Sequence, residues 1–271
     1  MSTQRGSIAD PPKSSGAAAF LLLCLMVILG LSETHALANG TSLLLPMVLL
    51  ILPLAIASRS LYVVHFNIFL VFYFLINWFP HFPNYPFSQL TLLLLYGYTV
   101  IVIAPLRQSA AWVRIGKFGW LIWFLIVATI VVSSIALIVW VKVLSPDLSR
   151  YSSLIPNQPV AMILVFGLLF CTFNAALEEI TWRGVMMQAL DGTFGPGVLS
   201  IVIQAASFAV AHYRNGFPNG IIGCLMVFVY GLMLGTIRRK SKGMAACWLA
   251  HVAADFTIYC LVFYFVRQAV K

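Results

Sequence analysis

The residues able to do chemistry are few and sit close to the C-terminus. They are Glu178, Glu179 and Arg183 in ALEEITWRG, His212 in SFAVAH, and His251 with Asp255 in HVAAD. Glu179 and Arg183 stand four apart, on one helical face, where acid and base neutralise each other. Glu178 is turned about 100° from Glu179 and can face elsewhere. His251 and Asp255 are again four apart, so both address one spot. A carboxylate without a cation of its own, beside imidazoles in an apolar pocket, suits general-base work on water. The same residue types allow a second chemistry. Glu178, His212 and His251 could ligate Zn2+ and leave a coordination position open to water. No HExxH or HxxEH spacing accompanies them.

These groups lie in unusual surroundings. Of 271 residues 62% are hydrophobic and 8% charged, against roughly 25% charged in an ordinary soluble domain. Residues 60–106 contain no Asp, Glu, Lys or Arg, and neither do 34–58, 118–141, 151–177, 192–213 or 215–237. A bilayer span needs about 20 apolar residues. The composition excludes a soluble enzyme and predicts an all-α polytopic transmembrane bundle of about eight or nine helices. Apolar segments fall at 17–37, 42–57, 61–79, 88–105, 119–143, 159–190, 197–213, 217–237 and 244–266. Residues 1–16 read as a disordered tail, 17–150 as N-terminal transmembrane helices and 151–271 as the C-terminal core that carries the chemistry. Residues 17–38 imitate a signal peptide ending in Ala36-Leu37-Ala38; the reading favoured is a retained helix. The sequon Asn39-Gly40-Thr41 matters only in a eukaryote.

The net charge of +9 reflects basic loops rather than nucleic-acid binding. With the N-terminus inside, eleven of the sixteen basic residues lie on the inner side, led by the cluster from Arg238 to Lys242. The loop containing Trp78, Phe79, His81 and Tyr85 reads as an outer aromatic belt. The five cysteines all lie in apolar runs, as packing residues. Gly231 and Gly235 have the spacing of a helix-packing pair.

Depth is a test of whether the ionisable groups can meet. If the helix bearing Glu178 runs to Leu190, Glu178 lies about 18 Å from its inner end. By the same rise His212 lies about 22 Å in, His251 about 12 Å and Asp255 about 18 Å. Three helices therefore deliver Glu, His, His and Asp to similar levels. Intramembrane charges of this kind mark function. The N-terminal half offers only Glu33, His35, His65 and His81. A coupled transporter would show internal repeats and ionisable groups in both halves, and neither is visible.

Glu178-Glu179-x-x-x-Arg183, then Phe208-x-x-x-His212, then His251-x-x-x-Asp255 resembles the CAAX protease and bacteriocin-processing family of intramembrane proteases, which includes the type II CAAX prenyl endopeptidases. The resemblance covers roughly residues 160–260. It implies an endopeptidase acting on a membrane-associated protein or peptide, with the bilayer and that substrate as partners. Glu178 would activate the attacking water with His212. His251 and Asp255 would hold the oxyanion, and Glu179 and Arg183 would order the group. Many members carry Asn where this chain has Asp255, and an ionised Asp only accepts hydrogen bonds. Asp255 therefore donates only if protonated, orients His251, or favours a metal. A catalytically silent member that binds peptide as an immunity or scaffold protein is the alternative. The absence of retention signals favours a bacterial inner membrane over the endoplasmic reticulum.

Overall fold

The computed structural model describes residues 15–33, 40–79, 87–110, 113–146 and 159–269. Most of the N-terminal tail, His35, the Ala36–Ala38 pattern, Asn39, His81 and Tyr85 lie outside them.

Without polar side chains to satisfy the backbone in lipid, these segments must close their hydrogen bonds internally, as helices. The described residues form an all-α bundle with no strand. The helices are α1 (Gly16–Glu33), α2 (Gly40–Ala57), α3 (Leu61–Trp78), α4 (Phe87–Val102), the short α5 (Ala104–Ser109), and α6 (Trp120–Leu144). The C-terminal set is α7 (Val160–Glu179), α8 (Met187–Phe194), α9 (Val198–Asn215), α10 (Gly220–Ser241) and α11 (Ala245–Ala269). Among them six helical stretches are long and apolar enough to cross a membrane; Leu43–Ala57, Phe87–Val102 and Val198–Tyr213 are shorter. The protein is thus a multi-pass membrane protein. The fourth apolar segment ends at Val102 because Pro105 starts a new helix in its first turn, where a proline is tolerated.

The sixth apolar segment does run through its charges. α7 passes into a π-helical turn at Ile180–Met186 and on into α8 without a break. A π-turn widens the helix by one residue, and here it begins immediately after the glutamate pair.

The main buried cluster joins the two halves of the chain. Leu22, Leu25, Phe66, Phe69 and Phe74 from the first helices share it with Trp182, Met186, Leu190 and Phe208. Gly231 and Gly235 lie against α9, where added Cβ atoms would meet Ala205 and Gln204. The Gln204 amide donates to the Gly231 carbonyl at 2.9 Å. This close approach fixes the helix that carries His212.

One end of the bundle is clipped by backbone pairing between two loops. Lys117 N donates to Ser241 O at 2.8 Å, Met244 N to Arg114 O at 2.8 Å, and Ala245 N to Ile115 O at 3.1 Å. Gly116 and Gly243 face each other there, and a Cβ on Gly243 would overlap the Gly116 backbone. Asp191 pairs with Arg239 at 2.8 Å and also accepts from Ser200. The basic loops at 114–117 and 238–242 therefore share one end of the molecule.

Candidate active site

Three helices bring the ionisable residues together. Across the junction of α7 with the π-turn, Glu179 and Arg183 form the expected pair, Nη1 to Oε1 at 3.0 Å, with both side chains essentially sealed. The guanidinium also lies 4.3 Å from the centre of the Phe208 ring, a cation–π contact. Glu178, on the adjacent face, points to a different partner set. It keeps 26% of its side-chain exposure while Glu179 keeps 1%.

His251 on α11 sits between the two glutamates. Its Nδ1 is 2.8 Å from Glu179 Oε1. Its Nε2 is 3.4 Å from both Glu178 Oε2 and Asp255 Oδ1. Carboxylates accept and do not donate when ionised, so satisfying both sides of the ring takes hydrogen on each nitrogen. The ring is also edge-on to Tyr230 and to Phe208, at centroid distances of 5.5 and 5.9 Å.

His212 on α9 donates Nδ1–H to the Phe208 carbonyl at 2.9 Å. That bond fixes the tautomer, because the carbonyl only accepts, and leaves Nε2 as the reactive nitrogen. His212 stacks edge-to-face on Phe208 at 4.5 Å. Gly216 makes room for it, since a Cβ there would meet the His212 side chain.

His212, His251 and Asp255 line a cavity of about 340 Å³. Its walls are apolar and come from α6 (Val132, Leu137), α10 (Leu225, Met226, Met233), the Phe217-Pro218 turn and Ile258. A volume of this order accommodates a small ligand or a few residues of peptide. Glu179 also lines a second cavity of about 330 Å³, under the 113–115 loop and Trp248.

One member of the group was not foreseen. Asn174, one turn before Glu178, donates Nδ2–H to Asp255 Oδ2 at 2.8 Å and to Glu178 Oε1 at 3.3 Å. The signal for it in the sequence was a lone amide at i−4 from Glu178 within an otherwise apolar run. In the N-terminal half, Glu33 and His65 have neighbours of their own, and Glu33 also lies within electrostatic reach of Glu178. Glu33 accepts from the Tyr73 hydroxyl at 3.1 Å. His65 is enclosed by Tyr96 at 2.7 Å, Ser109 at 2.9 Å and the Leu106 carbonyl at 3.1 Å. Among the described residues, no group of three or more His, Cys, Asp and Glu side chains is spaced to hold a metal ion.

Residues 160–257 match the family model for Type II CAAX prenyl endopeptidase Rce1-like proteins. The match covers part of the chain, from the start of α7 into α11, and it holds every member of the cluster. The CAAX-protease-like region also builds most of the cavity, while α6, outside the match, closes one wall. No curated protein and no solved structure was found to match the chain.

Proposed function

We propose that this protein is an intramembrane endopeptidase that hydrolyses a peptide bond in a membrane-associated protein or peptide, near the substrate's C-terminus. The observation that carries the reading is the buried Glu/His/Asp cluster meeting an apolar cavity within the CAAX-protease-like region. Peptide hydrolysis needs a polarised water, a donor for the developing oxyanion and a proton for the leaving amine. Glu178 is the most exposed carboxylate of the cluster, 26% against 12% for Asp255, and it takes the proton from water. His212, with Nε2 as its reactive nitrogen, completes water activation from across the cavity. His251 donates through Nε2–H to the tetrahedral oxyanion, and Glu179 on Nδ1 holds the ring at the required angle. Asp255 has both oxygens engaged as acceptors, so its part is to orient His251 rather than to donate. Arg183 neutralises Glu179 and locks it in place. The proton gained by Glu178 passes to the leaving nitrogen as the carbon–nitrogen bond breaks.

The apolar walls of the cavity suit a lipid-modified or strongly hydrophobic substrate. A bacterial inner membrane remains the proposed location. The test is cleavage of an internally quenched peptide ending in a Cys-aliphatic-aliphatic-X sequence, farnesylated and unfarnesylated, by protein reconstituted in vesicles. Glu178→Gln should lose activity by about 100-fold or more, the usual contribution of a positioned base. Retention of full turnover would remove Glu178 from the mechanism. A wild-type protein that binds these peptides and never cleaves them would support the silent, peptide-binding alternative.

A further inference from the structure

The cluster contains a group that the mechanism above does not use. Asn174 Nδ2 reaches Asp255 Oδ2 at 2.8 Å and Glu178 Oε1 at 3.3 Å. The other oxygens of the same two carboxylates, Glu178 Oε2 and Asp255 Oδ1, each lie 3.4 Å from His251 Nε2. Two carboxylates and two nitrogen donors thus alternate around a closed ring, and each carboxylate spans both donors. A side-chain amide has two N–H bonds, one for each acid, and carries no charge. A carboxylate in its place would put three anions together. An apolar group would leave Glu178 held on one side only, by His251 Nε2 at 3.4 Å, and less firmly aimed at the water it must activate.

We propose that Asn174 is a positioning residue for the hydrolysis: its amide clamps the Glu178 carboxylate toward the water position and engages Asp255 as an acceptor, which assigns oxyanion donation to His251 alone. The inference rests on the hydrolytic reading and names a residue that the three motifs leave out. It also accounts for an acid at position 255. With the neutral amide supplied from α7, the ring needs an acceptor on α11, and Asp255 provides one to Asn174 and one to His251.

The experiment compares full-length Asn174→Leu, Asn174→Asp, the exchange variant Asn174→Asp with Asp255→Asn, and Glu178→Gln. Each is reconstituted in vesicles and assayed on the farnesylated and unfarnesylated quenched peptides, with thermal unfolding measured in parallel. Both single Asn174 variants should lower kcat by about 10- to 100-fold, as expected when a reacting group is misplaced. KM should stay within about threefold, because the substrate is not touched. The exchange variant separates positioning from simple bridging. It rebuilds an amide–carboxylate bridge between α7 and α11 and so should regain the unfolding temperature lost by Asn174→Asp. It gives Glu178 no donor from α7, leaving only His251 Nε2 at 3.4 Å, and kcat should stay low. Unchanged kcat in Asn174→Leu, or recovery of kcat together with stability in the exchange variant, would overturn the proposal. Loss of activity in Glu178→Gln beside full activity in Asn174→Leu would remove this inference alone. Full activity in Glu178→Gln, or no wild-type cleavage of either peptide, would remove the hydrolytic reading and this inference with it.

Discussion

Replacing Arg183 by Met tests whether the buried pair holds the site together. The guanidinium is sealed from solvent, 3.0 Å from Glu179 Oε1 and stacked 4.3 Å over Phe208. Breaking a buried ion pair by removing one partner costs about 3–5 kcal/mol, because the other charge is left uncompensated. Here the cost should fall at the low end, about 3 kcal/mol, since Glu179 Oε1 also faces His251 Nδ1 at 2.8 Å. Methionine fills most of the vacated volume, which limits any cavity term. For a chain of this size about 3 kcal/mol lowers the unfolding midpoint by about 6–12 °C. The pair is buried, so added salt should leave the difference nearly unchanged. Glu179→Gln combined with Arg183→Met should cost less than the two single changes together, by about 1–3 kcal/mol. The assay is thermal unfolding of detergent-purified variants at two salt concentrations. A shift under 2 °C, or strict additivity in the double variant, would show that the pair is not an internal support of the site.

Gly216→Ala changes no chemical group but places a Cβ against His212; kcat on the quenched peptide should fall about 10-fold or more, and an unchanged rate would mean the imidazole position is not critical. Gly243→Ala should force apart the loops that carry the Lys117–Ser241 and Met244–Arg114 bonds, costing about 2–3 kcal/mol in thermal unfolding; a silent substitution would show that the clip is dispensable. His65→Leu removes the imidazole contacts to the Tyr96 and Ser109 hydroxyls and should cost about 1–3 kcal/mol with kcat unaffected, so a specific loss of turnover would tie the N-terminal helices to the chemistry. Zinc analysis of the purified protein beside Glu178→Ala and His212→Ala should find no stoichiometric metal; stoichiometric zinc lost from both variants would replace direct water activation by Glu178 with a metal-bound water.

What could be read from the sequence was whatever a single helix determines. The i,i+4 spacings placed Glu179 with Arg183 and His251 with Asp255. The rise per residue put the ionisable groups at compatible depths, and the structure does gather Glu178, Glu179, His251 and Asp255 into one cluster with His212 at the same cavity. That depth count supposed a helix continuing through its charges to Leu190, and the structure keeps it continuous, by way of the π-turn at Ile180–Met186. What could not be read was set by contacts between helices. Nothing in the spacing says which glutamate His251 addresses, and the answer is both, one through each ring nitrogen. Among the described residues the nine apolar segments appear as six helical stretches long enough to cross a membrane and three shorter apolar ones, and hydropathy does not register that Pro105 opens a separate helix after α4.

Asp255 shows how the two kinds of information combine. Taken on its own helix, an acid beside His251 in lipid is a problem, because an ionised carboxylate cannot donate to an oxyanion and a buried charge needs a partner. The solution lies 81 residues earlier. Asn174 supplies the amide from the opposite helix, so the pair of carboxylates is bridged on one side by Asn174 and on the other by His251. The lone amide four residues before Glu178 belongs to none of the three motifs, and its value appears only when α7 and α11 are packed together. The chemistry of position 255 is therefore decided by position 174, and exchanging the two residues is the perturbation that separates holding the helices together from holding the base in place.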